Sequence, residues 1–249
     1  GGAAFASHTA LLLARPVSDE EFTALATRVV QFHGRRGGGV GKRRETRRRV
    51  SRFPYDAVVI VSSTGGPPAL SKLLTALGRD FPLPIAMVQH LPAGFDTGLC
   101  ANLERDIGRP VLVAEQGMTL DEGAVVVAPS GKHLELSASS GALSCQLRSG
   151  PPEVGCRPSG NRLLRSAAET LGSRLIGICL TGMGTDGAEG MKAVHARRGH
   201  VIAQDEATSV VYGMPAAVAA AGVANQILPL GGIAAAVKLK IHRSHHGSS

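Results

Sequence analysis

The sequence has no tryptophan, and its six phenylalanines and two tyrosines are too few to build an aromatic interior. The core must come from Ala, Val, Leu and Ile, in a chain of 249 residues that is 43% hydrophobic. Long apolar runs are missing as well. Leu11–Ala14 and Ala216–Ala221 fall far short of the ~20 residues a membrane helix requires, so no membrane insertion is expected. A secretory apolar segment with a cleavage site is not evident. Cysteine is scarce, and Cys100, Cys145, Cys156 and Cys179 show neither a CxxC pair nor metal-ligand spacing. This predicts reduced thiols, a cytoplasmic location and no structural zinc site. Acidic residues are outnumbered, leaving a formal charge of +8, but the excess is local. Nine Lys or Arg residues and one acid, Glu45, lie between Arg35 and Arg52, so this stretch carries the whole imbalance. Such a run reads as a solvated tether. Binding to an acidic surface or nucleic acid is its alternative use, and nucleic acid is not expected as the main partner.

What is present divides the chain into parts. Residues 1–33 hold a short apolar stretch, Arg15-Pro16, and an amphipathic helix opened by Ser18 and Glu21 in capping-box spacing. Residues 34–53 form a Gly/Arg-rich linker. Residues 54–241 form the globular part, with 242–249 as a tail. Apolar runs predict strands at 57–61, 85–89, 111–114, 124–128, 175–180 and 200–203. Helical periodicity predicts helices at 68–78, 94–106, 159–171, 187–197, 214–221 and 232–240. The alternation implies an α/β fold, a Rossmann-like, mostly parallel sheet with helices on both faces. Residues 132–136 and 143–147 interrupt the rhythm and read as a β-hairpin at an edge.

Chemistry gathers at three predicted strand ends. The first is Ser62-Ser63-Thr64-Gly65-Gly66, the second Gln89-His90-Leu91-Pro92, and the third Thr181-Gly182-Met183-Gly184-Thr185-Asp186-Gly187. In a parallel sheet these loops can emerge on one edge, where ligands collect. A hydroxyl, an imidazole and a carboxylate meeting there form the set needed for nucleophilic acyl transfer. Ser63 would attack, His90 would take its proton, and Asp186 would orient the ring. Backbone N–H groups near Thr64 or in the 182–184 turn would bind an oxyanion. Taken singly, the same residues also read as a capped strand-to-helix turn, a loop histidine and a helix N-cap. The corner is not Gly-x-Ser-x-Gly, so the usual hydrolase elbow is absent.

The ordered motifs Ser-Ser-Thr-Gly-Gly, Gln-His-Leu-Pro-Ala-Gly-Phe, Val-Ala-Pro-Ser-Gly-Lys-His-Leu-Glu-Leu, Leu-Thr-Gly-Met-Gly-Thr-Asp-Gly, Ala-Gln-Asp-Glu-Ala and Tyr-Gly-Met-Pro resemble the catalytic domain of the chemotaxis protein-glutamate methylesterases, the CheB family, over about residues 56–241. The resemblance implies a serine hydrolase that demethylates glutamate γ-methyl esters on chemoreceptors and deamidates certain receptor glutamines. It assigns Ser63 as nucleophile, His90 as base and Asp186 as orienting acid. Met183 falls where the family supplies a backbone oxyanion donor, with Thr64 beside the nucleophile. Methyl-accepting receptors are the implied partners, and the resemblance implies no metal or organic cofactor. Residues 10–33 resemble the last strand and final helix of a receiver domain, which implies either a fragment whose upstream receiver is missing or a degenerate remnant; an unrelated amphipathic helix is the alternative reading.

The chain departs from the family pattern in two places. Where the family commonly has His-x-Pro-Ser-Val-Asp, this chain has Cys156-Arg157-Pro158-Ser159-Gly160-Asn161, so a negative charge and a packing side chain are lost. The family's Gly-Ala before the nucleophile is Val61-Ser62 here, and Ser62 is expected only to pack. Asn161 and the missing receiver sustain an alternative: a non-enzymatic Rossmann-like module holding an anion at the Ser-Thr-Gly-Gly corner, or a degenerate paralogue, with the basic tether recruiting a partner or nucleic acid.

Overall fold

The computed structural model describes residues 53–242, residue 140 excepted. The expectations for residues 1–33, for the linker up to residue 52 and for the tail after residue 242 lie outside the described residues.

Among the described residues, nine strands and six α-helices follow in chain order. They are β1 (Ala57–Ser62), α1 (Gly66–Leu77), β2 (Ile85–Gln89), α2 (Asp96–Ile107), β3 (Leu112–Val113), β4 (Val125–Val127), β5 (His133–Ser139), β6 (Ala142–Arg148), α3 (Gly160–Leu171), β7 (Leu175–Cys179), α4 (Ala188–Ala196), β8 (His200–Gln204), α5 (Met214–Ala220), β9 (Gln226–Leu228) and α6 (Leu230–His242). Seven strands form one sheet in the order β3-β4-β2-β1-β7-β8-β9, and every pairing within it is parallel. Strand order runs one way from β1 to β2 and the other way from β1 to β7. The crevice at β1 is therefore a topological switch point, the usual ligand position in such sheets.

The central strands are buried along their whole length, which explains their unbroken apolar sequences. Alternate residues serve opposite layers. Val58, Ile60, Ile85, Met87, Ile176 and Ile178 share a core with α1, α2 and α6 through residues such as Leu70, Leu103 and Val237. Val59, Val61, Val88, Leu175 and Cys179 face the other layer, with Leu163 and Leu164 of α3, Met191 of α4 and Val218 of α5. A two-pronged ion pair from Arg174 to Asp56, with both contacts at 2.6 Å, ties the start of β1 to the start of β7.

The hairpin forms as expected, but β5 and β6 make their own antiparallel sheet and add no strand to the large one. Leu134 and Leu136 bury against the α3 layer. Ser166 on α3 accepts the Leu136 N–H at 3.0 Å, and Thr170 donates to the Leu136 carbonyl at 3.1 Å. These side-chain bonds dock the hairpin on the helix. The short strand β9 was not anticipated. It is an edge strand of three residues, none of them buried, so its pattern is too brief to register.

Candidate active site

β2, β1 and β7 are neighbours, so their carboxyl ends bring the three polar loops to one edge, as expected. The register pairs Ser62 with Gln89, which places Ser63 and His90 next to each other just beyond the strands. The Ser63 N–H donates to the Thr181 carbonyl at 3.0 Å and the His90 N–H to the Ser62 carbonyl at 3.1 Å. Gly182 lies hard against the serine: a Cβ there would sit 2.8 Å from Ser63 Cβ.

The backbone at this corner is held by side chains the sequence did not mark. Buried Ser62 donates through Oγ to Gln89 Oε1 at 2.7 Å. Gln89 Nε2 in turn donates to the Ser63 and His90 carbonyls, each at 2.9 Å. Ser62 is thus a hydrogen-bonding member of the corner and not mere packing. Thr181 Oγ1 donates to the Thr64 carbonyl at 2.9 Å and accepts the Val211 N–H at 2.9 Å, linking β7 to both flanking loops.

His90 and Asp186 meet directly, Nε2 to Oδ2 at 2.8 Å, with side chains 16% and 2% exposed. Asp186 is heavily solvated by the protein itself. Oδ1 accepts from Ser159 Oγ, the Asn161 N–H and the Gly187 N–H, and Oδ2 also accepts the Gly160 N–H. Burial pushes the carboxyl pKa up, but the bonds from His90, the Gly160 and Asn161 N–H groups and Ser159 outweigh it and hold it below the ordinary aspartate value. Two of those donors belong to the N-terminus of α3, where the helix dipole also favours negative charge. With Asp186 ionised, the ring proton sits on Nε2, and Nδ1 is left as the bare acceptor.

Ser159 is aligned by His133, whose Nδ1 accepts the Ser159 N–H at 3.2 Å while Nε2 bonds the Pro151 carbonyl at 3.0 Å. Asn161 repays the service on the neighbouring helix: its Oδ1 accepts the Gly187 and Gly190 N–H groups, each at 2.9 Å. As an acceptor Asn161 does what a carboxylate would do there. What it lacks is the charge. Gly160 proves complementary to Val61, since a Cβ on Gly160 would meet Val61 Cγ1 at 2.7 Å. The valine missing from position 160 is replaced, in space, by the one at position 61.

The expected third link is not made. Among the described residues, Ser63 Oγ has no hydrogen-bond partner. The His90 Nδ1 face is taken by Cys156, whose Sγ lies 3.7 Å away. Burial, and then the Asp186 charge, raise the thiol pKa, so Cys156 is a neutral thiol. In apo structures of serine hydrolases the serine–imidazole bond is often long or misaligned and tightens with substrate. Thr64, which follows Ser63, and Met183 are both exposed. Among the described residues, neither of their backbone N–H groups has a hydrogen-bond partner. Phe95, Val154, Met183 and Val210 are 47%, 55%, 69% and 69% exposed, all in loops of the same strand-end edge or its rim. A hydroxyl, an imidazole held in one tautomer by an ionised carboxylate, and two unpaired N–H groups can together carry acyl transfer.

The description CheB methylesterase matches residues 58–237 at the family level. The chain is 47% identical to protein-glutamate methylesterase FrzG of Myxococcus xanthus over 184 residues, covering 74% of this chain and 54% of that one. It is 46% identical over 173 residues to a protein-glutamate methylesterase/protein-glutamine glutaminase of a Nocardioides strain, covering 70% and 47%. The chain spans about half the length of these curated relatives. Among solved structures, the CheB methylesterase catalytic domain of Thermotoga maritima superposes with a TM-score of 0.70 at 38% identity, covering 74% of this chain and 97% of that one.

Proposed function

The chain belongs to the CheB methylesterase family, and on that premise we propose that it hydrolyses glutamate γ-methyl esters, and deamidates glutamines, on methyl-accepting chemoreceptors. The observation that carries this reading is the 2.8 Å His90–Asp186 bond at the strand end next to Ser63. Ser63 Oγ attacks the ester carbonyl and passes its proton to His90 Nδ1. Asp186 stabilises the imidazolium across Nε2. The Thr64 and Met183 N–H groups receive the oxyanion, where each donor is worth roughly 10²–10³ in rate. Methanol leaves with the proton from His90, and water then releases the acyl group by the same route. A glutamine follows the same steps with ammonia as the leaving group, which makes protonation by His90 more important.

The exposed apolar side chains around the corner suit a receptor helix, which would present its modified residue from an amphipathic face. The described residues contain no helix long and apolar enough to cross a membrane. We place the protein in the cytoplasm, where receptor signalling helices lie, and we assign the basic run at 35–52 to tethering an upstream receiver domain. The binding-module alternative is not favoured, because relatives across three-quarters of the chain are named as methylesterases.

The test is methanol release from methylated receptor by the wild type and by Ser63→Ala, together with labelling by a fluorophosphonate. Release should fall by about 10³ or more in the variant, and labelling should vanish. Undiminished release would remove Ser63 from the mechanism.

A further inference from the structure

His90 has two ring nitrogens with different neighbours, and the second has no part in holding Asp186. Nε2 is bonded to Asp186 at 2.8 Å, while Nδ1 faces Cys156 Sγ at 3.7 Å. Among the described residues, His90, Cys156 and Asp186 form a group whose ligand atoms all lie within 4.8 Å of one another. The dimensions are those of a metal chelate. Zinc holds sulfur at about 2.3 Å and imidazole nitrogen at about 2.0–2.1 Å, so a tetrahedral angle sets the two donors about 3.6 Å apart. The observed 3.7 Å spacing is close to that separation.

The roles within the group are unequal. Both Asp186 oxygens are already engaged, Oδ1 with three donors and Oδ2 with two. It is therefore poorly placed to ligate. It is well placed as the carboxylate behind a ligating histidine, an arrangement that fixes the ring and raises its basicity. Cys156 is half-buried at the mouth of the site, so a cation can reach its sulfur. A mixed sulfur and imidazole pair suits zinc better than magnesium or calcium, which prefer oxygen. Cysteine spacing does not announce such a site, because the two donors lie 66 residues apart.

We propose that His90 Nδ1 and Cys156 Sγ bind a thiophilic divalent cation, with Zn²⁺ as the natural occupant, and that binding shuts the hydrolase off. One cation enters and the Cys156 thiol releases one proton to solvent; the remaining coordination positions are filled by water. The metal takes the nitrogen that would accept the Ser63 proton. The binding half of the proposal stands on geometry alone, and only the inhibitory half rests on the methylesterase reading.

The test uses Co²⁺ as a spectroscopic substitute on the full chain. Wild type should give a near-ultraviolet thiolate-to-cobalt absorption at one equivalent, bleached by Zn²⁺ and absent in Cys156→Ser. Histidines near the chain's end cannot produce a thiolate band, and Cys100, Cys145 and Cys179 are buried. Zinc should also suppress fluorophosphonate labelling of Ser63 reversibly on chelation, and the zinc concentration that halves labelling should rise at least about tenfold in Cys156→Ser. No thiolate band in wild type, or the same band in Cys156→Ser, overturns the site. A band with labelling untouched by zinc overturns the inhibition. Failure of the esterase reading would remove the labelling while leaving the cobalt band, so the two failures are distinct.

Discussion

Asp186 and Asn161 cap each other's helices: Asp186 receives the Gly160 and Asn161 N–H groups at the start of α3, and Asn161 receives the Gly187 and Gly190 N–H groups at the start of α4. The carboxylate proposed to orient His90 thus also joins two helices structurally. Replacing it by an amide should therefore damage more than catalysis.

In Asp186→Asn, one carboxylate oxygen becomes an NH₂ group facing donors whichever way the amide is turned. The buried donors left unpaired should cost about 2–4 kcal/mol, and activity should fall as the His90 tautomer is lost. The pH dependence has a definite sign. The folded pKa of Asp186 is depressed, so its contribution is present above the unfolded value of about 3.9 and is lost as pH falls through the lower folded value. Urea unfolding followed from neutral pH to below pH 4 should show a shallower acid loss in the variant than in wild type. Equal slopes would mean that Asp186 does not carry this linkage.

Much of this architecture was legible in order. The apolar runs Ala57–Val61, Ile85–Val88 and Leu175–Cys179 are buried on both faces, so hydrophobicity alone marks them as central strands. Because polar residues follow each run, Ser63, His90 and Asp186 fall on one edge by topology alone. What stayed hidden depends on spatial neighbours without a sequence period. The β5–β6 hairpin looks like an edge extension until its docking on Ser166 and Thr170 is seen. Ser62 looks like filler because its partner Gln89 is on the next strand. Gly160 looks like a lost side chain because Val61, which fills its place, lies 99 positions earlier.

That last pair gives a double-mutant prediction. Val61→Gly removes a buried side chain and adds chain entropy, for a cost of about 3 kcal/mol. Gly160→Val drives an isopropyl group into Val61 and should cost about 1–3 kcal/mol. The double variant exchanges the two residues within one space, so denaturant unfolding should recover about 1–3 kcal/mol relative to the sum of the single changes. Simple additivity would show that the two positions do not share that space.

Gln89 and Ser62 should separate in rank. Ser62→Ala leaves Gln89 Oε1 buried without its donor and should cost about 1 kcal/mol, with a small loss of rate. Gln89→Leu also frees the Ser63 and His90 carbonyls and should lower kcat by about tenfold or more, since slight misplacement of reacting groups is costly. Thermal melting and ester turnover measured together will show this. If Ser62→Ala has no effect on melting, its hydroxyl is only packing.

Gly213 is the residue through which the 182–184 turn can be tested, because backbone donors cannot be deleted by ordinary substitution. Its N–H and that of Met214 both donate to the Gly182 carbonyl, at 3.1 and 2.8 Å. A Cβ at Gly213 would lie 2.7 Å from the Gly182 oxygen, 3.1 Å from the Gly184 nitrogen and 3.2 Å from Met183 Cα. All three are backbone atoms, so no rotamer change relieves the crowding and the turn itself must move. Gly213→Ala should therefore displace the Met183 N–H while leaving the His90–Asp186 bond in place. Since that donor is proposed to act on charge present only in the transition state, kcat should drop by about 10–100-fold with KM for the ester nearly constant. A rise in KM at unchanged kcat would instead place the turn in ground-state binding and remove Met183 from the oxyanion site.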